Sequence, residues 1–262
     1  MASFRAIPIP WPLLGAMVKR EFQSRYAGSV LGVYWAFIQP FLTVAVYFLV
    51  FDIVFSMRMG DNAPTQRVGT YLVVGALPWL AFCESLSRGS TSLVEAGNIL
   101  QKNALPPMLF VLRSVLASGL TFVPMMGLLA ILYVLLTGHW ETLWVMPFVI
   151  LLQWVISYLC AHILAILTAA SRDTTQLLSF VLSLGIYISP VLFPLSLFPE
   201  DWRWLLFINP MTSLVMSYQA ILLSGELPDL HLWGAGFIWL MLLACVLNVL
   251  IKRSHEELVD WL

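Results

Sequence analysis

Six apolar runs, at 33–57, 69–86, 109–137, 144–170, 177–193 and 232–251, are interrupted by only three charged side chains, Asp52, Glu84 and Arg113. No other feature restricts the fold so strongly. About 20 apolar residues in a helix cross the roughly 30 Å of hydrocarbon in a bilayer, and a helix satisfies its own backbone donors there. Hydrophobic residues make up 60% of the 262 and charged residues 10%, against about 45–50% and 25% in a typical soluble domain. The expected fold class is an all-α membrane protein with six transmembrane helices and little chain left for a soluble domain.

An even number of crossings leaves both ends of the chain on one side, and the positive-inside rule then chooses the side. Arg5, Lys19, Arg20, Arg25, Arg88, Lys102, Arg113, Arg172, Lys252 and Arg253 fall on the terminal side, with only Arg58, Arg67 and Arg203 opposite. Both termini are therefore expected in the cytoplasm. The first residues lack a short apolar core followed by a cleavage site, so insertion is expected to rely on the spans themselves. A net charge of −1 gives a nucleic-acid partner no electrostatic support. Cys83, Cys160 and Cys245 lie far apart inside apolar runs, as packed thiols do.

Three connecting segments carry structure of their own. Over 11–27, Leu14, Met17, Val18 and Phe22 recur at helical spacing opposite Lys19, Arg20, Gln23 and Ser24, the pattern of an amphipathic interfacial helix. It serves either as a topology anchor or as a cationic contact for lipid phosphate. Ser92-Leu93-Val94-Glu95 has the form of a capping box, which places a short helix over 92–103, ending before Pro106-Pro107. From Tyr187 to Asp229, Pro190, Pro194, Pro199 and Pro210 divide apolar pieces too short to cross the bilayer. Such a stretch is a re-entrant region at the mouth of a pathway, or an interfacial loop anchored by Trp202 and Trp204.

The chain contains no Gly-Lys pair and so no phosphate-binding GxxxxGK[ST] loop. His139, His162, His231 and His255 have no metal-ligand spacing, and His162 is expected to hydrogen-bond a neighbouring helix. Glu84 and Arg88 stand at the i,i+4 spacing of an ion pair, while Asp52 lies late in the first span. That span carries Tyr34, Phe37, Phe41, Phe48, Phe51 and Phe55 in one stripe, with Val44 filling the gap and Trp35, Ile38, Leu42, Val46 and Leu49 opposite. One of the two stripes must face protein or a pore. Rings stack on the C–H faces of sugars without fixed hydrogen bonds, which suits a sliding polymer, although helix packing or lipid contact accounts for such a stripe equally well.

Lys19-Arg20-Glu21-Phe22, Arg25-Tyr26, Ser29-Val30-Leu31-Gly32, Trp35 and Pro40 resemble the opening motif of ABC-2 permeases that export surface polysaccharides. Gly75-Ala76-Leu77-Pro78-Trp79, Ser87-Arg88-Gly89, Asn98 with Lys102, and Asn209-Pro210-Met211 follow in the family's order, so the resemblance covers nearly the whole chain. It implies a homodimer in a bacterial inner membrane, paired with two copies of a cytoplasmic ABC ATPase that binds the ATP and Mg. This chain itself would hold no cofactor and catalyse nothing. The cargo implied is a polysaccharide on undecaprenyl diphosphate or another lipid carrier, of the O-antigen type, with capsule or teichoic acid as alternatives. By the same resemblance 11–27 is an interface helix, and Ser92, Glu95, Asn98 and Lys102 belong to a coupling helix that docks on the ATPase. Pro190, Pro194, Pro199, Trp202, Trp204 and Pro210 mark periplasmic gate helices over 194–229. The first and fifth spans would line the channel, turning the aromatic stripe inward together with Phe180 and Tyr187.

A polymer needs such a conduit, because each sugar hydroxyl moved unpartnered into hydrocarbon costs several kcal/mol. Lys19, Arg20 and Arg25 are the candidate cations for a carrier pyrophosphate at the cytoplasmic entrance. Two rival classes stay open. A membrane enzyme acting on polyprenyl-linked sugars would draw a catalytic group from Asp52, Glu141 or Asp173, and an ABC-2 exporter of drugs or lipids would share the architecture.

Overall fold

The computed structural model describes residues 11–59, 64–102, 105–138 and 140–254. Arg5, His139 and His255, named above, and the last position of the expected helix 92–103 lie outside the described residues. The elements in order are α1 (Trp11–Ser24), α2 (Trp35–Tyr47), α3 (Val68–Glu95), α4 (Gly97–Lys102), α5 (Met108–Thr137), α6 (Met146–Ala170), α7 (Asp173–Gly185), α8 (Arg203–Leu206), α9 (Met211–Gln219) and α10 (Leu230–Ser254). Extended pairing among the described residues is limited to a bridge between Arg58 and Arg67. Five helical stretches are long and apolar enough to cross a membrane, and a bent pair, Glu200–Leu206 with Met211–Ser224, forms a sixth only if its 107° break is spanned.

Helix α3 stands in the middle of the bundle, flanked by α2, α5, α6, α7 and α9. Small residues let its neighbours approach closely, as membrane helix packing requires. A Cβ on Gly89 would lie 2.6 Å from the Ala161 Cβ of α6, and one on Gly75 would lie 3.1 Å from the Val191 backbone. Buried polar groups then fix register. Gln153 of α6 donates to the Pro78 carbonyl of α3 at 2.9 Å and accepts the Tyr218 hydroxyl of α9 at 2.8 Å.

The first span is built in three pieces. A 3-10 turn at Gly32–Tyr34 leads into α2, and α2 continues as a π-helical segment, Phe48–Val54. That wider turn carries Asp52 onto the first residues of α3, where its carboxylate accepts the Gly69 and Thr70 N–H groups at 2.7 and 3.0 Å and the Thr70 hydroxyl at 2.8 Å. Donors left open at a helix start are thereby closed from another helix.

Two sequence expectations fail locally. The capping box does not start a helix, because Ser92 lies inside α3. Its hydroxyl bonds back to the Gly89 carbonyl at 2.6 Å, and the burial of Ser90, Ser92 and Leu93 favours continuing the helix. The break comes at Ala96, and the short helix α4 begins at Gly97. The run expected at 177–193 forms a helix only to Gly185. Thirteen residues reach about 20 Å, short of the hydrocarbon thickness, and the chain after Gly185 continues as turns. Pro190 has no N–H and disfavours helical geometry at Ser189. The freed carbonyls find Tyr71, whose hydroxyl lies 2.7 Å from the Pro190 oxygen and 3.1 Å from that of Phe193, while Gln219 donates to Pro190 at 2.8 Å.

The chain beyond Phe193 dips into the bundle and returns. Tyr71 is near the start of α3, so Pro190 and Phe193 sit at the end of the bundle away from α1. The Asn209 amide then donates to the Gly185 carbonyl, beside Trp79 of mid-α3. Trp239, about 14 Å along α10 from its start, donates its indole N–H to the Phe207 carbonyl at 3.0 Å. Ile221 is back at the far end, where its carbonyl accepts the Thr142 hydroxyl from the α5–α6 connection.

Candidate functional site

Two features separate this bundle from a plain set of packed helices: an open aromatic face on the first span, and a line of charges at its base. On α2 the residues that touch the body are not a whole stripe read from the sequence: only Val44, the aliphatic member of the aromatic stripe, is among them. The seam runs through Ala36, which is buried, and through Val44 and Tyr47, which pack on the core. Tyr34, Phe41, Phe48 and Phe55 point away from the body, with Tyr34 73% exposed, and Phe37 and Phe51 are half-buried. Trp35, Leu42, Val46 and Leu49 are exposed as well. Most of both stripes is therefore open in the single chain, because a narrow seam through Ala36, Val44 and Tyr47 makes the contact.

Helix α7 also presents an open face. Phe180 on α7 is 61% exposed, and Tyr187, in the turn two residues beyond its end, is 64% exposed. Gln176 and Ser183 share that face with Phe180 by helical spacing and are exposed too. Both were overlooked in the sequence, although an amide and a hydroxyl alternating with rings at intervals of three and four residues was the available signal. Helices α2 and α7 both pack on α3, so the two open aromatic faces flank the same central helix.

At the base of the first span the structure separates the three cations expected to meet a lipid pyrophosphate. Lys19 and Arg20 are exposed on α1. Arg25 is not available, since its side chain is only 4% exposed. Its Nε donates to Glu21 at 3.4 Å, Nη1 to Glu84 at 3.4 Å and the Ser118 hydroxyl at 3.1 Å, and Nη2 to the Ser114 carbonyl at 3.0 Å. Glu84 also pairs with Arg88 at 3.2 Å, and Glu21 with Arg113 at 3.5 Å. The result is a line of alternating charges, Arg88, Glu84, Arg25, Glu21 and Arg113, joining α3, α1 and α5. Burial, followed by the Glu84 carboxylate, raises the pKa of the neighbouring Tyr26 hydroxyl, as desolvation and a nearby negative charge both do. Arg113, read from sequence as an intramembrane charge, lies 5.0 Å over the Phe110 ring. With Arg20, Leu13, Met17 and Ile99 it lines a groove of about 410 Å³ between α1, α4 and α5.

The expected coupling residues divide. Asn98 and Lys102 are exposed on α4, and Glu95, exposed at the end of α3, accepts the Thr91 hydroxyl at 2.7 Å. Ser92 is buried and cannot meet a partner. In the proline-divided stretch Pro190 and Pro194 are buried, Pro210 is half-buried, and Pro199, Trp202 and Trp204 are exposed. The Phe193 and Phe198 rings stack at 5.7 Å.

The groups a membrane enzyme would need are scattered or occupied. Asp52 is committed to the α3 cap, Asp173 is exposed at the start of α7, and Glu141 is exposed in the connection before α6. His162 lies 3.2 Å from the Tyr158 hydroxyl one turn earlier in α6, a partner on its own helix and not on a neighbour. Among the described residues no three His, Cys, Asp or Glu side chains gather as metal ligands, and the three cysteines are unpaired.

The profile of the ABC-2 type transporter family matches residues 12–223, most of the chain. The chain belongs to that family. It is similar to an O-antigen export system permease protein, RfbA, of Myxococcus xanthus, with 34% identity over 93% of both chains. An RfbA of Klebsiella pneumoniae is 25% identical over 94% of this chain and 95% of its own. The polysialic acid transport protein KpsM of Escherichia coli is 22% identical over 92% and 93%. The polar line at the base of the first span, the α3–α4 corner and the proline-divided stretch before Gly225 all lie within the matched family region.

Proposed function

We propose that this ABC-2 chain is the permease subunit of an ATP-driven exporter of surface polysaccharide, with O-antigen-type glycan on a lipid carrier as its cargo. The observation that carries the proposal is 34% identity to an O-antigen permease across 93% of both chains. The similarity to KpsM favours capsular polymer as the second reading of the cargo.

Two copies meet through the open faces of α2 and α7, since the five or six spans of one chain enclose too little space for a polymer. Tyr34, Phe37, Phe41, Phe48, Phe51 and Phe55 then wall the conduit together with Phe180 and Tyr187. Rings support sugar faces without fixing them, and the Gln176 amide and Ser183 hydroxyl replace some of the water that a glycan loses. The carrier phosphate is met by Lys19 and Arg20, with Arg113 behind Arg20 across the groove. Arg25 takes no part in that contact.

The ATPase, which binds ATP and Mg, docks on Glu95, Asn98 and Lys102 at the α3–α4 corner. Both termini face the cytoplasm of a bacterial inner membrane, and the re-entrant stretch with Pro199, Trp202 and Trp204 forms the gate on the opposite side. The test is copurification of the tagged chain with ABC ATPases of the same genome, followed by deletion of the gene. Association and intracellular build-up of lipid-linked glycan are the expected results. No association, or build-up of no glycan, refutes the proposal.

A further inference from the structure

The first span touches the bundle lightly along its length and is tied to α3 by polar groups at both ends. At the far end the tie is Asp52 on the Gly69 and Thr70 N–H groups. At the near end it is the Arg25 guanidinium on Glu84, which also reaches Ser114 and Ser118 of α5. Between them the seam offers Ala36, Val44 and Tyr47. The segment from Arg25 to the first span is not slack. Ser29 N–H bonds the Tyr26 carbonyl, Gly32 N–H bonds that of Ser29, and left-handed turns at Gly28 and Gly32 set its path.

We infer that Arg25 is a positioning residue that makes the first span follow α3, so that motion imposed at the α3–α4 corner reaches the aromatic wall. The inference rests on the ATP-driven reading above. Glu84 and Glu95 belong to one unbroken helix and stand about 16 Å apart along it, a rigid lever between a docked ATPase and the guanidinium. A buried guanidinium is not needed for packing, since apolar side chains of similar volume often stabilise as well or better. What the cluster supplies is a directional link among three helices. Arg25 has five donors in a fixed fork, each with a defined partner.

The test uses the full-length permease with its ATPase in liposomes. In a background without the native cysteines, spin labels are placed at Val30, at the start of the first span, or at Ser87, on the exposed side of α3. Distances between the two copies are compared without nucleotide and with ATP plus vanadate. In the parent protein both label pairs are expected to shift. In Arg25→Met the Ser87 pair still shifts while the Val30 pair stays, ATP hydrolysis remains within about twofold, and glycan export per ATP falls about tenfold, the size of an ordinary coupling. Arg25→Lys restores part of the Val30 shift, and Glu84→Gln or Ser114→Ala with Ser118→Ala gives a milder loss if Arg25→Met does not fold. A purely structural role would lower the yield of complex and leave the two shifts linked. If the complex forms and Val30 moves normally in every variant, the inference is overturned and the proposed function stands. If the parent chain binds no ATPase, the functional reading fails and the inference falls with it.

Discussion

Removing the Asp52 carboxylate tests how the first span is held at its far end. Three hydrogen bonds of 2.7–3.0 Å end on it, two from the N–H groups that open a 28-residue helix. Loss of a helix N-cap costs about 0.5–2 kcal/mol, and loss of an anion at a partly buried helix start adds about 0.3–1 kcal/mol. Asp52→Ala should therefore destabilise by about 2 kcal/mol, or about 4–8 °C in apparent Tm for a chain of this size. Asp52→Asn keeps one acceptor and should lose about half as much. Gly69 supplies an independent check, because a Cβ there would lie 2.9 Å from the Asp52 Cγ and 3.0 Å from the Tyr47 carbonyl. Gly69→Ala should displace the carboxylate and destabilise the parent, yet cost at most half as much in the Asp52→Ala background, where one of the two contacts is gone. Tryptophan fluorescence during thermal unfolding in detergent, on all four members of the cycle, reads both effects. Full additivity, or an Asp52→Ala variant as stable as the parent, would refute the cap.

Other sites give further expectations. Gly89→Ala forces α3 from α6 at the 2.6 Å approach to Ala161 and should destabilise by about 1–3 kcal/mol in the same unfolding assay. Tyr71→Phe removes the hydroxyl at 2.7 Å from the Pro190 carbonyl and should cost about 1–3 kcal/mol, with faster proteolysis between Pro190 and Asn209 than in the parent. Tyr34→Ala with Phe37→Ala and Phe41→Ala should lower glycan export about tenfold or more without reducing ATPase copurification; unchanged export would dismiss the aromatic wall.

The spans with long, uninterrupted apolar character were legible from residue types alone, since hydrocarbon thickness fixes how many such residues a crossing requires. Where reading by local pattern failed, a distant partner had changed the local preference. Ser92 and Glu95 have the spacing of a cap, but the burial of Leu93 and Ser90 beside them continues the helix, and no neighbour in sequence announces this. Arg25 looks like an interfacial cation because its partners lie 59, 89 and 93 positions away at Glu84, Ser114 and Ser118. The two-stripe reading of the first span assumed a broad packing face, whereas the contact runs through a narrow line at Ala36, Val44 and Tyr47. Glu84 with Arg88 was visible because an i,i+4 pair needs only its own helix.

The two polar ties explain how the aromatic face can stay open. A span held by broad apolar packing would bury its rings against its own bundle, and one held by nothing would leave its position to lipid. Here the Arg25 cluster and the Asp52 cap fix both ends of the first span to α3. Pro40 and the π-helical turn at Phe48–Val54 interrupt the regular ladder between them, as kinks and π-turns do where a helix must adapt locally. Side chains along the middle are thereby released from the task of holding the helix in place. Tyr34, Phe41 and Phe48 stay exposed, as the proposed conduit requires, while α3, buried along most of its length, carries the load that sets where they stand.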